Sequence, residues 1–195
     1  MFQEPSIILY FVLAAILLLL LSIFVYKKWK GSPAHQMHNI LKPYIQDEIK
    51  DFIIPDGIGG LLEIEHLILM EQGLLLIETY PMSGNLFGAD TIDQWTQIIE
   101  GRSYKFPNPL RRIRTSRQAI KALAPNIPVF CRIIFNANSI FPKGKPEEVS
   151  VINSLVEDMQ VITNEPARTV VSQNSWEQIM RIARKNGQAV ERQES

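Results

Sequence analysis

Ile64-Glu65-His66-Leu67-Ile68-Leu69-Met70-Glu71-Gln72-Gly73-Leu74-Leu75-Leu76-Ile77-Glu78-Thr79-Tyr80 is the stretch on which the fold of this chain turns. Two apolar runs, Leu61 to Met70 and Gly73 to Ile77, are joined by Glu71-Gln72. Their lengths and the polar loop between them predict a tight β-hairpin. With that loop Met70 faces Gly73, so Glu65 falls opposite Glu78 and their side chains share a face. Alternation along a strand places Tyr80 on the same face as Glu78, and His66 and Ile77 on the other. Two carboxylates converging at the end of a buried hairpin require compensation. A divalent metal such as Mg²⁺ held by Glu65 and Glu78 is one arrangement, and a hydrated sheet edge is the other.

Turn and cap chemistry organises the chain around this hairpin. Upstream, His35 to Phe52 carries Ile40, Tyr44, Ile45 and Ile49 at helical spacing with Pro43 interrupting, so a broken or late-starting helix is expected. Phe52-Ile53-Ile54 and a Pro55-Asp56-Gly57 turn lead into the hairpin. Downstream, Gly84-Asn85-Leu86-Phe87-Gly88 reads as a glycine-bounded connection. Trp95 to Ile99 and Ser103 to Phe106 flank Glu100-Gly101 as a second hairpin. A helix is expected from Leu110 to Leu123, then a buried strand within Ile127 to Phe135 and a last strand within Glu148 to Ile152. Ser175 to Gln178 has a capping-box pattern, opening a helix that stops at Gly187. This mixture predicts an α/β domain with a central sheet.

The amino-terminal segment has a different composition. From Ile7 to Tyr26, 20 residues, only Ser22 is neither apolar nor aromatic. At about 1.5 Å per residue such a helix spans the roughly 30 Å hydrocarbon layer, which predicts a transmembrane helix. Lys27, Lys28 and Lys30 follow at once, and the positive-inside rule then keeps the remainder in the cytoplasm. The expected organisation is an anchor with a basic flank over residues 1–32, one domain over 33–190 and a polar tail over 191–195. The expected location is the inner membrane, single-pass, with the amino terminus outside. A single cysteine, Cys131, excludes an internal disulfide and reads as a buried apolar residue on its strand.

Formal net charge is zero, with 20 basic and 20 acidic residues, but the charges are segregated. Arg102, Lys105, Arg111, Arg112, Arg114, Arg117 and Lys121 run without an intervening acid. On the Leu110–Leu123 helix, at about 100° per residue, Ile113, Ile120 and Leu123 form the core stripe. Arg111, Arg114, Arg117 and Lys121 fall on one adjacent arc, and Arg112 on the opposite flank. The arc reads either as a solvated face or as a contact for nucleic-acid phosphates, with anionic lipid head groups a third option.

Taken in order, Ile54-Pro55-Asp56-Gly57, Ile64-Glu65-His66, Gly73 to Thr79, Gly84 to Gly88, Trp95 and Asn108-Pro109-Leu110 resemble the nuclease-related domain (NERD) family of the PD-(D/E)xK nuclease-like group, over residues 50–135. The resemblance implies a restriction-endonuclease-like domain, a central mixed β-sheet flanked by helices. It also implies a divalent metal, Mg²⁺ or Mn²⁺, held by the acids at Glu65 and Glu78, with a lysine at position 80 stabilising phosphate charge. The chain departs from that pattern at each chemical position. Glu65 replaces an Asp, moving the carboxylate about 1.5 Å outward where catalytic geometry tolerates roughly 0.5 Å. Tyr80 replaces the lysine, Arg112 replaces a glutamine, and Ser32-Pro33-Ala34 stands where an acid follows glycine. A neutral phenol supplies no fixed positive charge. The expectation is therefore a catalytically degenerate nuclease fold serving as a nucleic-acid- or protein-binding module, with Arg112 pairing the acids in place of metal. The competing expectation is an active metal-dependent nuclease in which Arg112 supplies the missing charge.

Overall fold

In the computed structural model, residues 10–19, 21–22, 33–167 and 173–183 are described. They divide into two compact units, Met1–Asn39 and Ile40–Ser195. In the first, residues 10–19 and 21–22 are helical and solvent-facing, and α1 (Pro33–Leu41) begins. No helix among the described residues is long and apolar enough to cross a membrane. The expected span over Ile7 to Tyr26 lies partly outside the described residues, as do the basic flank at Lys27 to Lys30 and the tail over 191–195.

The second unit contains two mixed sheets in place of the single central sheet expected. One has the order β1-β2-β3-β7-β9, formed by β1 (Asp47–Pro55), β2 (Leu61–Leu69), β3 (Leu74–Tyr80), β7 (Val129–Phe135) and β9 (Val149–Val151). The other has the order β6-β5-β4-β8, formed by β6 (Arg102–Pro107), β5 (Gln94–Ile99), β4 (Gly84–Phe87) and β8 (Ser139–Ile140). Helices α2 (Pro109–Leu123), α3 (Leu155–Thr163) and α4 (residues 173–183) flank them.

The decisive hairpin has the register predicted for it: His66 pairs Ile77, Leu67 pairs Leu76 and Leu69 pairs Leu74. Gly73 turns the chain at φ +152, and a Cβ there would lie 2.4 Å from the Pro128 carbonyl oxygen, so only glycine lets β7 approach. β3 is hydrogen-bonded antiparallel to β2 and parallel to β7. Leu74, Leu75, Leu76 and Ile77 are fully buried. Leu110, Ile113 and Ile120 of α2, and Trp176, Ile179 and Ala183 of α4, share one apolar cluster with Leu67, Leu76 and Cys131.

Two expectations require correction. The helix over His35 to Phe52 ends at Leu41, a 3₁₀ turn carries Pro43, and residues 47–55 form β1. The helix-like spacing of Ile40, Tyr44, Ile45 and Ile49 runs across α1, the 3₁₀ turn, the link behind it and β1, where Asp51 takes a left-handed conformation (φ 50). That reverses the alternation, so Ile49 and Phe52, three residues apart, both pack on the core. Gly84 to Gly88 is a strand rather than a connection, because Leu86 is buried and β5 and β8 pair on either side of it. Helix α3 and strand β8 were not expected from sequence.

Helix α2 begins where predicted, for a visible reason. The Asn108 side chain accepts from Leu110 N–H at 2.9 Å, and Pro109 needs no donor in the first turn. The same side chain donates to the carbonyls of Ile92 (2.7 Å) and Ala89 (3.2 Å), and Trp95 Nε1 also donates to Ala89 (3.1 Å). Asn108→Ala removes the cap and the side-chain donor to the Ile92 carbonyl, so a loss of about 2–3 kcal/mol in denaturant unfolding is expected. Asn108→Asp, which keeps the cap and loses the donors, should fall between the two; equal stability of all three proteins would contradict this account.

Candidate functional site

Glu78 sits at the outgoing end of β3, opposite Ile133 of β7. The residue is buried, only 3% exposed. Arg112, on the first turns of α2, brings its Nε to 3.5 Å from Glu78 Oε1. The arginine side chain itself is 58% exposed. Glu78 Oε2 is buried and has no hydrogen-bond partner among the described residues. Burial is the largest influence on this carboxyl and lifts it from the ordinary 4.5 to about 7; Arg112 opposes the rise and Glu65 adds to it.

Glu65 is held elsewhere. The β2–β3 ladder ends at the His66–Ile77 pair, so Glu65 does not continue it as the direct partner of Glu78. Its two carboxylate oxygens accept from the Thr79 backbone N–H at 3.1 and 3.0 Å, and Oε1 also accepts from the Thr79 hydroxyl. The carboxylate thus takes the place of a ladder acceptor. Thr79 is a residue that sequence reasoning missed, and a hydroxyl beside an acid is too common a pattern to have marked it. Tyr80 packs its ring against Phe135, centroids 5.6 Å apart. Burial, then the charge of Glu78, pushes its hydroxyl above the ordinary phenol value, so it stays neutral.

His66 projects away from this group, as alternation predicted. Its Nε2 lies 2.7 Å from Glu48 Oε2 on β1. Burial lowers the imidazole more strongly than Glu48 raises it, which leaves a neutral ring bonded to a carboxylate. Glu48 is therefore committed to His66. Among the described residues no group of three or more His, Cys, Asp or Glu side chains is placed to hold a metal ion. Mg²⁺ is held through one or two free carboxylates with water completing its six oxygens, and here one carboxylate is engaged by Thr79 while the other faces an arginine. The donor set does not fit a Mg²⁺ or Mn²⁺ centre.

The basic arc of α2 is largely paired. Arg111 binds Asp93. Arg114 binds Glu148, with Nε to Oε2 at 2.7 Å, and Asp90 at 3.1 Å. Arg117 reaches Glu148 at 3.1 Å. Of the four arc residues only Lys121 has no acidic partner among the described residues. A cavity of about 510 Å³ beside Arg114, Arg117 and Arg132 excludes Glu65, Glu78 and Tyr80. Cys131 is buried and its thiol is pushed up to about 12 by burial, in keeping with a packing role.

The family model of the nuclease-related domain matches residues 28–136. The chain belongs to the nuclease-related domain family. An uncharacterized protein of Bacillus anthracis is 26% identical over 100 residues, covering 49% of this chain and 47% of that relative. The chain thus spans about half the length of the curated relative it matches. No solved structure matches. Within this NERD domain, Gly88 and Trp95 of the shared pattern pack so closely that a Cβ at Gly88 would lie 2.1 Å from the indole ring. Those positions build the fold.

The raised carboxyl has a stability signature. Since its folded-state pKa exceeds the unfolded value, ionised Glu78 opposes folding, and stability declines as pH rises from 4.5 through about 7. Glu78→Gln should be more stable than the parent above pH 7 by up to about 3 kcal/mol, with the gap closing below pH 4.5. A gap that does not change with pH in paired urea titrations would refute the burial account.

Proposed function

We propose that this NERD domain is a nuclease fold that no longer cleaves and serves as a module for binding nucleic acid. The observation that carries the reading is the Arg112–Glu78 pair at 3.5 Å, formed where the family pattern places metal and lysine. Three features support it together: Glu65 is engaged by Thr79, a neutral phenol occupies the lysine position, and an arginine faces the remaining acid. Phosphoryl transfer needs positive charge on the equatorial oxygens and an aligned nucleophile, and this group supplies neither a metal cage nor a lysine.

A half-exposed guanidinium beside a carboxyl that titrates near neutrality can still receive a phosphate. As pH falls through about 7, Glu78 takes up a proton and leaves Arg112 uncompensated. Affinity for a phosphate backbone should therefore rise several-fold between pH 8 and pH 6, and Glu78→Gln should remove that dependence. The apolar run over Ile7 to Tyr26 and the lysines behind it support a further element of the proposal: the module is tethered to the inner membrane and works in the cytoplasm.

The test uses the full chain in detergent with labelled single- and double-stranded DNA and RNA, with Mg²⁺ or Mn²⁺, beside Glu78→Ala. Salt-sensitive binding without cleavage is expected. Metal-dependent cleavage that disappears in Glu78→Ala would replace this reading with an active nuclease. In calorimetry, Arg112→Gln should gain Mg²⁺ affinity over the parent, because the competing cation is gone; unchanged affinity would show that Arg112 does not stand in for metal.

A further inference from the structure

The seven basic residues that form one run in sequence do not form one surface. Arg111, Arg114 and Arg117 are neutralised by Asp93, Asp90 and Glu148, and Arg112 faces Glu78. Arg102 and Lys105 have no acid within ion-pairing distance among the described residues. Both lie on β6, the outermost strand of the second sheet, with Tyr104 between them. Residues 102 to 105 are exposed one after another, Tyr104 to 46%.

The register shows where this strand leads. Trp95 pairs Phe106, Gln97 pairs Tyr104 and Ile99 pairs Arg102, so Arg102 and Tyr104 share one face of the ribbon with Trp95 and Phe106. At the base of that face Trp95 is fully buried and stacks on Phe135 at 6.3 Å, and Phe135 packs on Tyr80 at 5.6 Å. Unbroken aromatic contacts therefore connect the ribbon to the group around Glu78. Towards its tip the same face carries Tyr104 and then Arg102, roughly 7 and 13 Å beyond Phe106 at strand rise. The tip itself is rigidly made: Glu100 and Gly101 take φ 50 and φ 74, as a two-residue hairpin requires.

We infer that the exposed edge of β6, through Arg102, Tyr104 and Lys105, is the surface on which this domain holds a single strand of nucleic acid. The inference rests on the nucleic-acid-binding reading above and names the residues that carry it. Arg102 shares its face with the half-exposed Tyr104 ring and Lys105 projects from the opposite face of the same edge, so a single strand laid along β6 meets a cation on either side and a ring for an unpaired base with an open π-face. The outer edge of β6 also offers unpaired backbone donors. Charged side chains on an edge strand have another established use, which is to prevent edge-to-edge association between copies. The two roles predict different behaviour.

The test measures binding of a labelled pyrimidine oligonucleotide to the full chain across a salt series. Arg102→Ala/Lys105→Ala should weaken binding about tenfold or more and flatten the salt slope by about 1.4, since each single-strand phosphate contact contributes about 0.7. Tyr104→Ala should weaken binding about tenfold with the slope unchanged, because stacking releases no counterions. Arg102→Gln/Lys105→Gln repeats the charge loss with polar side chains, and matching thermal unfolding shows that the fold is intact. If the parent binds and the paired substitution leaves affinity and slope untouched, β6 is not the surface and the broader reading stands. A parent protein that binds no nucleic acid overturns both. Self-association of the double variant with unchanged oligonucleotide binding would assign the charges to edge protection. Loss of binding to phosphatidylserine vesicles alone would assign them to lipid.

Discussion

Strand β3 is hydrogen-bonded along both edges and buried on both faces, and most of the molecule's behaviour follows from that placement. Four consecutive apolar residues, Leu74 to Ile77, gain their stability from it, since a fully enclosed strand removes the most apolar area from water per residue. Glu78 continues the same strand and is enclosed by the same neighbours. A carboxylate in that position must be matched by a cation, hydrogen-bonded, or protonated. Arg112 matches one oxygen from a distance, Oε2 is left without a partner among the described residues, and the carboxyl rises to about 7.

The NERD pattern separates into two sets of residues with different fates. Asp56 closes its loop by accepting from Ile58 and Gly60 N–H, at 2.8 and 2.7 Å. Gly88 yields space to Trp95, and Asn108 caps α2 while holding the loop before β5. These residues act through sterics and backbone hydrogen bonds, and they are intact. Glu65, Tyr80 and Arg112 are placed differently: Thr79 engages Glu65, the Tyr80 ring packs on Phe135, and Arg112 faces Glu78. A fold can persist under such changes because stability depends on packing and polar satisfaction, which the site residues influence only locally.

Electrostatics in three dimensions also differs from electrostatics along the chain. The uninterrupted basic run invites a reading as one cationic helix face, yet acids from the loop before β5 and from Glu148 fold onto it. Pairing leaves Arg102, Lys105 and Lys121 as the members of that run without acidic partners among the described residues. The half-exposed Arg112 remains poised over a titrating carboxyl. Uncompensated charge is what a polyanion senses at long range, so the surface that matters is set by the acids as much as by the bases.

Local chemistry made much of this protein legible from its sequence. The β2–β3 hairpin and its register, the second hairpin at Glu100-Gly101, the start of α2 at Asn108-Pro109 and the buried strand before Phe135 each rest on turn, cap or burial signals a few residues wide. Tertiary structure decided the rest. Strand β1 reads as helix because the apolar residues Ile40, Tyr44, Ile45 and Ile49 have helical spacing although they fall on α1, a 3₁₀ turn, a link and a strand. The short strand β4 became a strand only because β5 and β8 pair with it. The approach of Arg112 to Glu78 was expected only through the family resemblance, and the capture of Glu65 by Thr79 and the neutralisation of Arg114 by Glu148 were not expected at all. No local pattern encodes such contacts, because the energy that selects them arises only when separate elements pack together.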